Sequence, residues 1–192
     1  YDSIIIQNSM EYLRYKGWQA YQRTTKDVIS LSPARRLLAT LDRDPDALQE
    51  GDGLPILWHW LYFLPAVRIS WLGHDGHAIR GGFMPPVSLP VRMFAGFELD
   101  FRRPLVLGQQ AWRSEQVTKI EEKQGVSGNL VFVTVEFQIE DQKGVILVET
   151  QTYVYRNAGP LKKPEASGGS RKGVSCDRAM DVPITPALLF RF

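Results

Sequence analysis

The chain has 192 residues, enough for one or two domains at the usual size of roughly 100–200 residues each. With 44% hydrophobic and 23% charged residues it has a globular composition, which excludes the disordered, collagenous and coiled-coil classes. Its 23 Lys and Arg against 21 Asp and Glu give a net charge of +2, too balanced for a nucleic-acid or membrane-surface protein, and no apolar run reaches the roughly 18 residues of a membrane span.

Residues 1–17 read as an N-terminal extension. The start, Tyr1-Asp2-Ser3-Ile4-Ile5-Ile6, has no basic stretch and no small-residue cleavage site, so no secretory signal is expected. Without an initiator Met, either something was removed upstream or the chain is a piece of a longer protein. Ser32-Pro33 reads as an N-cap with proline at the first helical position. Leu37, Leu38 and Leu41 follow at helical spacing, which predicts a short helix over 33–42. The apolar run Leu54–Leu64 fits a buried helix or a buried strand, and Leu57, Leu61 and Leu64 at i, i+4, i+7 favour a helix packed on a sheet. Gly73, Gly76, Gly81, Gly82, Pro85, Pro86 and Pro90 then mark a long structured loop of the kind that often carries function.

Four antiparallel strands follow, at Met93–Phe101, Gln110–Lys123, Leu130–Glu140 and Val145–Arg156. In the third, Val131, Val133, Val135, Phe137 and Ile139 share one parity while Thr134, Glu136 and Gln138 share the other, the signature of a half-buried strand. The polar turn Glu140-Asp141-Gln142-Lys143-Gly144 joins it to the fourth as a hairpin. Residues 157–182, with four Gly, two Pro and three Ser, read as a linker. Five basic residues (Lys162, Lys163, Arg171, Lys172, Arg178) against three acidic (Glu165, Asp177, Asp181) place the whole excess charge there and leave a neutral body. The lone Cys176 lies in that linker as a solvated bystander. A single thiol excludes an internal disulfide framework and fits a reducing, cytoplasmic compartment, or the mitochondrial matrix if the source is eukaryotic. The apolar end, residues 183–192, is expected to be a strand that opens a second domain.

Several segments in order carry a family likeness: Leu57-Trp58-His59-Trp60-Leu61-Tyr62-Phe63-Leu64-Pro65, Leu72-Gly73-His74-Asp75-Gly76-His77, Gly81-Gly82-Phe83-Met84-Pro85-Pro86, Arg92-Met93-Phe94-Ala95-Gly96, Phe101-Arg102-Arg103-Pro104-Leu105 and Gly128-Asn129-Leu130-Val131-Phe132-Val133. Together they resemble the N-terminal hot-dog domain of MaoC-like dehydratases, in the subgroup with mesaconyl-CoA hydratases and type 2 hydroxyacyl-thioester dehydratases. The resemblance covers about residues 18–156. It implies an α+β hot-dog fold, an antiparallel sheet wrapped on a central helix, with a second hot dog beginning at the C-terminus. The implied activity is reversible hydration of an α,β-unsaturated acyl thioester on coenzyme A or acyl carrier protein, with no other cofactor. A homo- or hetero-oligomer is implied as well.

In that family the acid/base histidine belongs to a motif of the kind Asp-x-Asn-Pro-x-His. The nearest text here is Asp42-Arg43-Asp44-Pro45-Asp46-Ala47, with Ala47 at the histidine position. No catalytic residue is therefore assigned, and the chain alone is expected to be inactive. Asp42 and Asp44 read more simply as the end of a helix and the start of a turn.

The expected substrate-binding residues are Trp58, His59, Trp60, Gly81, Gly82, Phe83, Pro85 and Pro86. His59 reads first as a buried, hydrogen-bonded core histidine, and the Gly81-Gly82 pair first as a tight turn. Tyr62 and Phe63 extend the aromatic cluster, which core packing explains as well. Arg102-Arg103, Lys162-Lys163 and Arg171-Lys172 are either solvated or partners for coenzyme A phosphates. His74 and His77 lack a third group at ligand spacing, so no metal is expected. Two other readings remain: a non-catalytic binding subunit of a hetero-oligomeric hydratase, and a hot-dog thioesterase using Asp42 or Glu98.

Overall fold

The computed structural model describes residues 15, 17, 18, 21–125, 128–159, 177 and 184–191. In chain order, strand β1 (Gln22–Val28) and helix α1 (Leu31–Thr40) precede three 3-10 turns at Pro45–Ala47, Trp58–Leu61 and Ile69–Trp71. Strands β2 (Val91–Phe101), β3 (Gln110–Gly125), β4 (Gly128–Asp141) and β5 (Gly144–Arg156) follow, and α2 (Pro186–Arg191) comes last. The strands form one antiparallel sheet in the order β1-β3-β4-β5-β2. This is the expected α+β hot-dog architecture, and the four expected strands stand within two residues of their predicted bounds.

Alternation decides which face is buried. Val131, Val133, Val135, Phe137 and Ile139 of β4 are all buried, because side chains two apart share a face. On β5 the same parity carries Leu147, Glu149, Gln151, Tyr153 and Tyr155, since Leu147 pairs with Ile139, Gln151 with Val135 and Tyr155 with Val131. The inner face is covered in two parts. One core joins Ala34 of α1 with Leu54, Tyr62, Phe63, Ile139, Ile146 and Leu147; the other lies under the Gly/Pro loop and joins Val87, Val117, Val131, Val133, Val135, Phe137 and Tyr155. The loop is pinned by Arg80, whose guanidinium donates to the carbonyls of Val87, Leu89 and Pro90 and lies 4.8 Å over the Tyr155 ring.

Three expectations need correction. The helix begins at Leu31 with Ser30 as its N-cap, so Pro33 falls inside the first turn rather than opening it. The run Leu54–Leu64 is helical only as the 3-10 turn Trp58–Leu61. Left-handed backbone at Leu57 (φ 73°) and Phe63 (φ 57°) brackets it, and the Phe63 amide donates to Asp27 Oδ2 at 2.7 Å instead of to a helical carbonyl. The central helix is accordingly short, and the aperiodic segment completes its cover. The terminal segment is helical over Pro186–Arg191 rather than a strand, because Thr185 Oγ1 accepts from the Leu188 amide at 3.1 Å and Pro186 takes the first helical position.

Helix α1 ends on Asp42, in the left-handed region at φ 55°. The Asp42 amide donates to the Ala39 carbonyl and the Arg43 amide to the Leu38 carbonyl, the paired bonds of a Schellman cap. Asp44 Oδ1 in turn accepts from the Asp46 amide at 2.9 Å and starts the next turn. Asp42→Gly should therefore stabilise the protein by about 0.5–1 kcal/mol, glycine being free of the Cβ penalty at this position. The urea midpoint will rise at unchanged slope.

Candidate functional site

Two acidic side chains are buried on the inner face of the sheet, Glu149 (3% exposed) and Glu115 (1% exposed). Burying a carboxylate is expensive unless donors surround it, and each has a full set. Glu149 Oε2 is 3.1 Å from His59 Nε2. Trp60 Nε1 donates to Glu149 Oε1 at 3.0 Å, and Gln151 Nε2 donates to the same oxygen at 2.6 Å. The Tyr153 hydroxyl donates on to Gln151 Oε1, and the Arg92 guanidinium lies 4.2 Å over the Tyr153 ring. Burial pushes the Glu149 carboxyl up, but the bonds from His59, Gln151 and Trp60 together outweigh it and hold it below the ordinary glutamate value. As an ionised acceptor, Glu149 fixes the hydrogen of His59 on Nε2. The other ring nitrogen, Nδ1, is buried without a hydrogen-bond partner among the described residues.

His59 also forms part of the wall of a cavity of about 390 Å³, otherwise lined by Gly53, Leu54, Pro55, Ile56, Phe101 and the Arg102–Leu105 segment. Phe101 meets the His59 ring edge-on at 5.8 Å. The two arginines at this cavity differ. Arg103 is committed, with Nη1 donating to Asp141 Oδ2 at 2.8 Å and Nη2 to the Gly144 carbonyl across the β4–β5 turn. Among the described residues, the side chain of Arg102 pairs only with the exposed Asp100, at 3.3 Å. Outside the cavity, Trp60 meets Phe97 edge-on at 5.2 Å and Phe97 and Phe94 are 6.0 Å apart. This leaves a row of exposed aromatics along β2, which is an edge strand of the sheet among the described residues.

Glu115 is the second hub. Arg23 of β1 donates to its Oε2 from both Nε and Nη2, and Arg113 donates to its Oε1 from both Nε and Nη2. Arg113 lies 5.4 Å over both Phe63 and Phe137, so this hub braces the segment that carries His59 and Trp60.

The expected site residues fall into two groups. Trp58 packs on the first core, His59 lines the cavity and Trp60 bonds Glu149. Gly81, Gly82, Phe83, Pro85 and Pro86 lie with the second core instead. The Gly81 amide closes a turn onto the Met84 carbonyl at 2.9 Å, Gly82 and Pro86 are exposed, Pro85 is buried, and Phe83 stacks under Arg23 at 4.5 Å. Beside that turn a separate cavity of about 310 Å³ is lined by His74, His77, Arg80, Met84 and Arg92. Asp42 and Glu98 are exposed and line neither cavity. Among the described residues no three His, Cys, Asp or Glu gather as metal ligands, and no helix is long and apolar enough to cross a membrane. Lys162-Lys163, Arg171-Lys172 and Cys176 lie outside the described residues.

Sequence reading missed Glu149, Gln151 and Tyr153. Parity was the available signal: counting by twos from the apolar Leu147 puts all three on the buried face.

Comparison with known proteins supplies the remaining context. Residues 57–192 match the family described as hydroxyacyl-thioester dehydratase type 2. Over 185 residues the chain is 38% identical to a mesaconyl-C(4)-CoA hydratase of Chloroflexus aurantiacus, an alignment covering 93% of this chain and 63% of that protein. The chain therefore spans somewhat under two thirds of that relative's length. Among solved structures, a chain of the ChsH1–ChsH2 complex from Mycobacterium tuberculosis aligns with a TM-score of 0.54 at 14% identity, covering 85% of this chain and 99% of that one, a likeness of fold.

Proposed function

Because the chain belongs to the hydroxyacyl-thioester dehydratase type 2 family, we propose that it is the pocket-shaping hot-dog half of an enzyme that adds water reversibly across the α,β double bond of an acyl thioester. The observation that carries this reading is 38% identity over nearly the whole chain to a hydratase acting on mesaconyl-C4-CoA, and mesaconyl-C4-CoA is the substrate proposed here. The reaction is redox-neutral. A base takes a proton from water, the resulting hydroxyl bonds to the β-carbon, and a proton is delivered to the α-carbon. Negative charge that develops on the thioester oxygen needs donors aimed at it.

In this division of labour the acid/base residues belong to a second hot-dog domain or subunit. The helix-end motif supports that assignment, for Ala47 stands where a histidine would be needed, the Asp44 carboxylate caps the next turn, and the Asp42 carboxylate is exposed and lines neither cavity. Exposed Phe94, Phe97 and Trp60 along the open side of β2 suit a partner of the same fold. The wall formed by Leu54, Pro55, Phe101 and His59 would exclude water from the acyl group.

The test is the loss of ultraviolet absorbance of crotonyl-CoA and mesaconyl-C4-CoA. The 192-residue chain alone should give none, and the chain joined to or mixed with a second hot-dog domain carrying the histidine motif should hydrate at least one of them. Equal hydration by the chain alone would overturn the division of labour.

A further inference from the structure

The second cavity, of about 310 Å³ beside the Gly81 turn, gathers cations in a body that is otherwise neutral. Arg80 and Arg92 line it together with His74 and His77, and Asp75 is the one carboxylate among the lining residues. Arg23, Arg35, Arg102, Arg103 and Arg113 each pair with a carboxylate, whereas Arg80 and Arg92 pair with none among the described residues. Both are nevertheless held in place. Arg80 is anchored by three backbone carbonyls and by the Tyr155 ring at 4.8 Å, and the Arg92 guanidinium rests 4.2 Å over Tyr153. Ring faces and carbonyl oxygens fix a guanidinium without neutralising it, and arginine does not shed its proton. Asp75 offsets little of this charge. Its carboxylate is exposed, so solvent screens it, and it already accepts from the His77 amide at 3.1 Å, while the two arginines are half-buried.

We propose that this cavity binds a phosphate group, with Arg92 as its principal ligand and Arg80 supplying fixed positive charge. The face of Arg92 lies on Tyr153, and its planar fork of N–H donors matches a pair of phosphate oxygens. His74 and His77 add a ring N–H each, which an imidazole carries on one nitrogen even when neutral. Because ring and carbonyl contacts already position both guanidiniums, little ordering is left to be done on binding. The phosphate is either that of coenzyme A or the free inorganic ion, and the chemistry that recognises it is the same.

The site is read by binding without turnover, so it stands or falls apart from the hydratase reading. Isothermal titration calorimetry of the 192-residue chain, with inorganic phosphate and with coenzyme A at an ionic strength held constant with chloride, should show saturable binding of at least one probe. Arg92→Gln, which keeps a stem over Tyr153 and removes the charge, should weaken it about tenfold or more. Arg92→Lys, which keeps the charge and loses the fork, should weaken it less but measurably. Arg102→Ala, at the other cavity, should leave it unchanged. Coenzyme A held more tightly than inorganic phosphate, with that advantage lost in Arg92→Gln, supports the proposal and assigns the site to the thioester carrier. Inorganic phosphate held at least as tightly supports it and assigns the site to the free ion. Absence of saturable binding by both probes overturns it, as does an affinity that either Arg92 variant leaves unchanged or that Arg102→Ala lowers equally. Circular dichroism shows which variants are folded, and Arg92→Lys decides alone if Arg92→Gln is not.

Discussion

Glu149→Ala will destabilise the protein by about 3–5 kcal/mol, the cost of removing one partner from a buried charged cluster. Truncation takes the acceptor from His59, Trp60 and Gln151 at once, and with the site 3% exposed water cannot replace it without opening the sheet. For a chain of this size the loss lowers Tm by roughly 10 °C, a shift that scanning calorimetry resolves easily. Glu149→Gln should lose less, since one amide oxygen still accepts.

Acid separates these variants further. The folded-state pKa of Glu149 lies below the ordinary value, so its contribution is fully present above the unfolded pKa of about 4.3. It is lost as the pH falls through the lower, folded value. The stability gap between the unaltered protein and Glu149→Gln, measured by urea titration at successive pH values, should hold at neutral pH, begin to narrow near the unfolded value and finish narrowing once the pH has passed the lower, folded one. A gap that widens on acidification would mean the carboxyl is held protonated.

Glu115→Ala is the second large effect, about 2–3 kcal/mol. Glu115 is buried as deeply as Glu149, but its partners Arg23 and Arg113 keep 44% and 19% of their side chains exposed, so water compensates part of the loss. The consequence reaches the segment that carries His59 and Trp60 through Arg113, which stacks on Phe63. Denaturation should show the stability loss, and the tryptophan emission of Trp58 and Trp60 should shift with it as their segment loosens. Glu115→Gln should recover part of both signals, and an emission unchanged in Glu115→Ala would mean that Arg113 does not brace the segment.

Strand β4 was legible because its buried face is written in Val, Phe and Ile at every second position, and β5 because it is rich in β-branched and aromatic residues and follows β4 across a polar turn. Strand β1 was not, since Gln22-Arg23-Thr24-Thr25-Lys26-Asp27-Val28 has no apolar alternation. Its inward-facing residues are polar because they serve Glu115 and the Phe63 amide. The run Leu54–Leu64 misled for a related reason: its leucines repeat with helical period, while long-range bonds from Tyr62, Phe63 and His59 fix the backbone otherwise. Of the candidate site, His59 and Trp60 were visible as an unusual polar interruption of an apolar run. Their partner was not, because Glu149 lies 90 residues away in sequence and only the sheet register brings it beneath them.

The order β1-β3-β4-β5-β2 puts the first two strands on opposite edges, so residues between Val28 and Val91 must cross the whole sheet. The β3–β5 meander closes only short loops, whereas β1 can pair only when Val28 meets Gln110 at the end of a long excursion. Ordering of the chain during folding thus runs from the meander outward. By the same logic β1 is the first strand to detach in a partial opening. Release of β1 frees Arg23 from Glu115 and Asp27 from Phe63, so the wall that holds His59 slackens while the central strands remain paired.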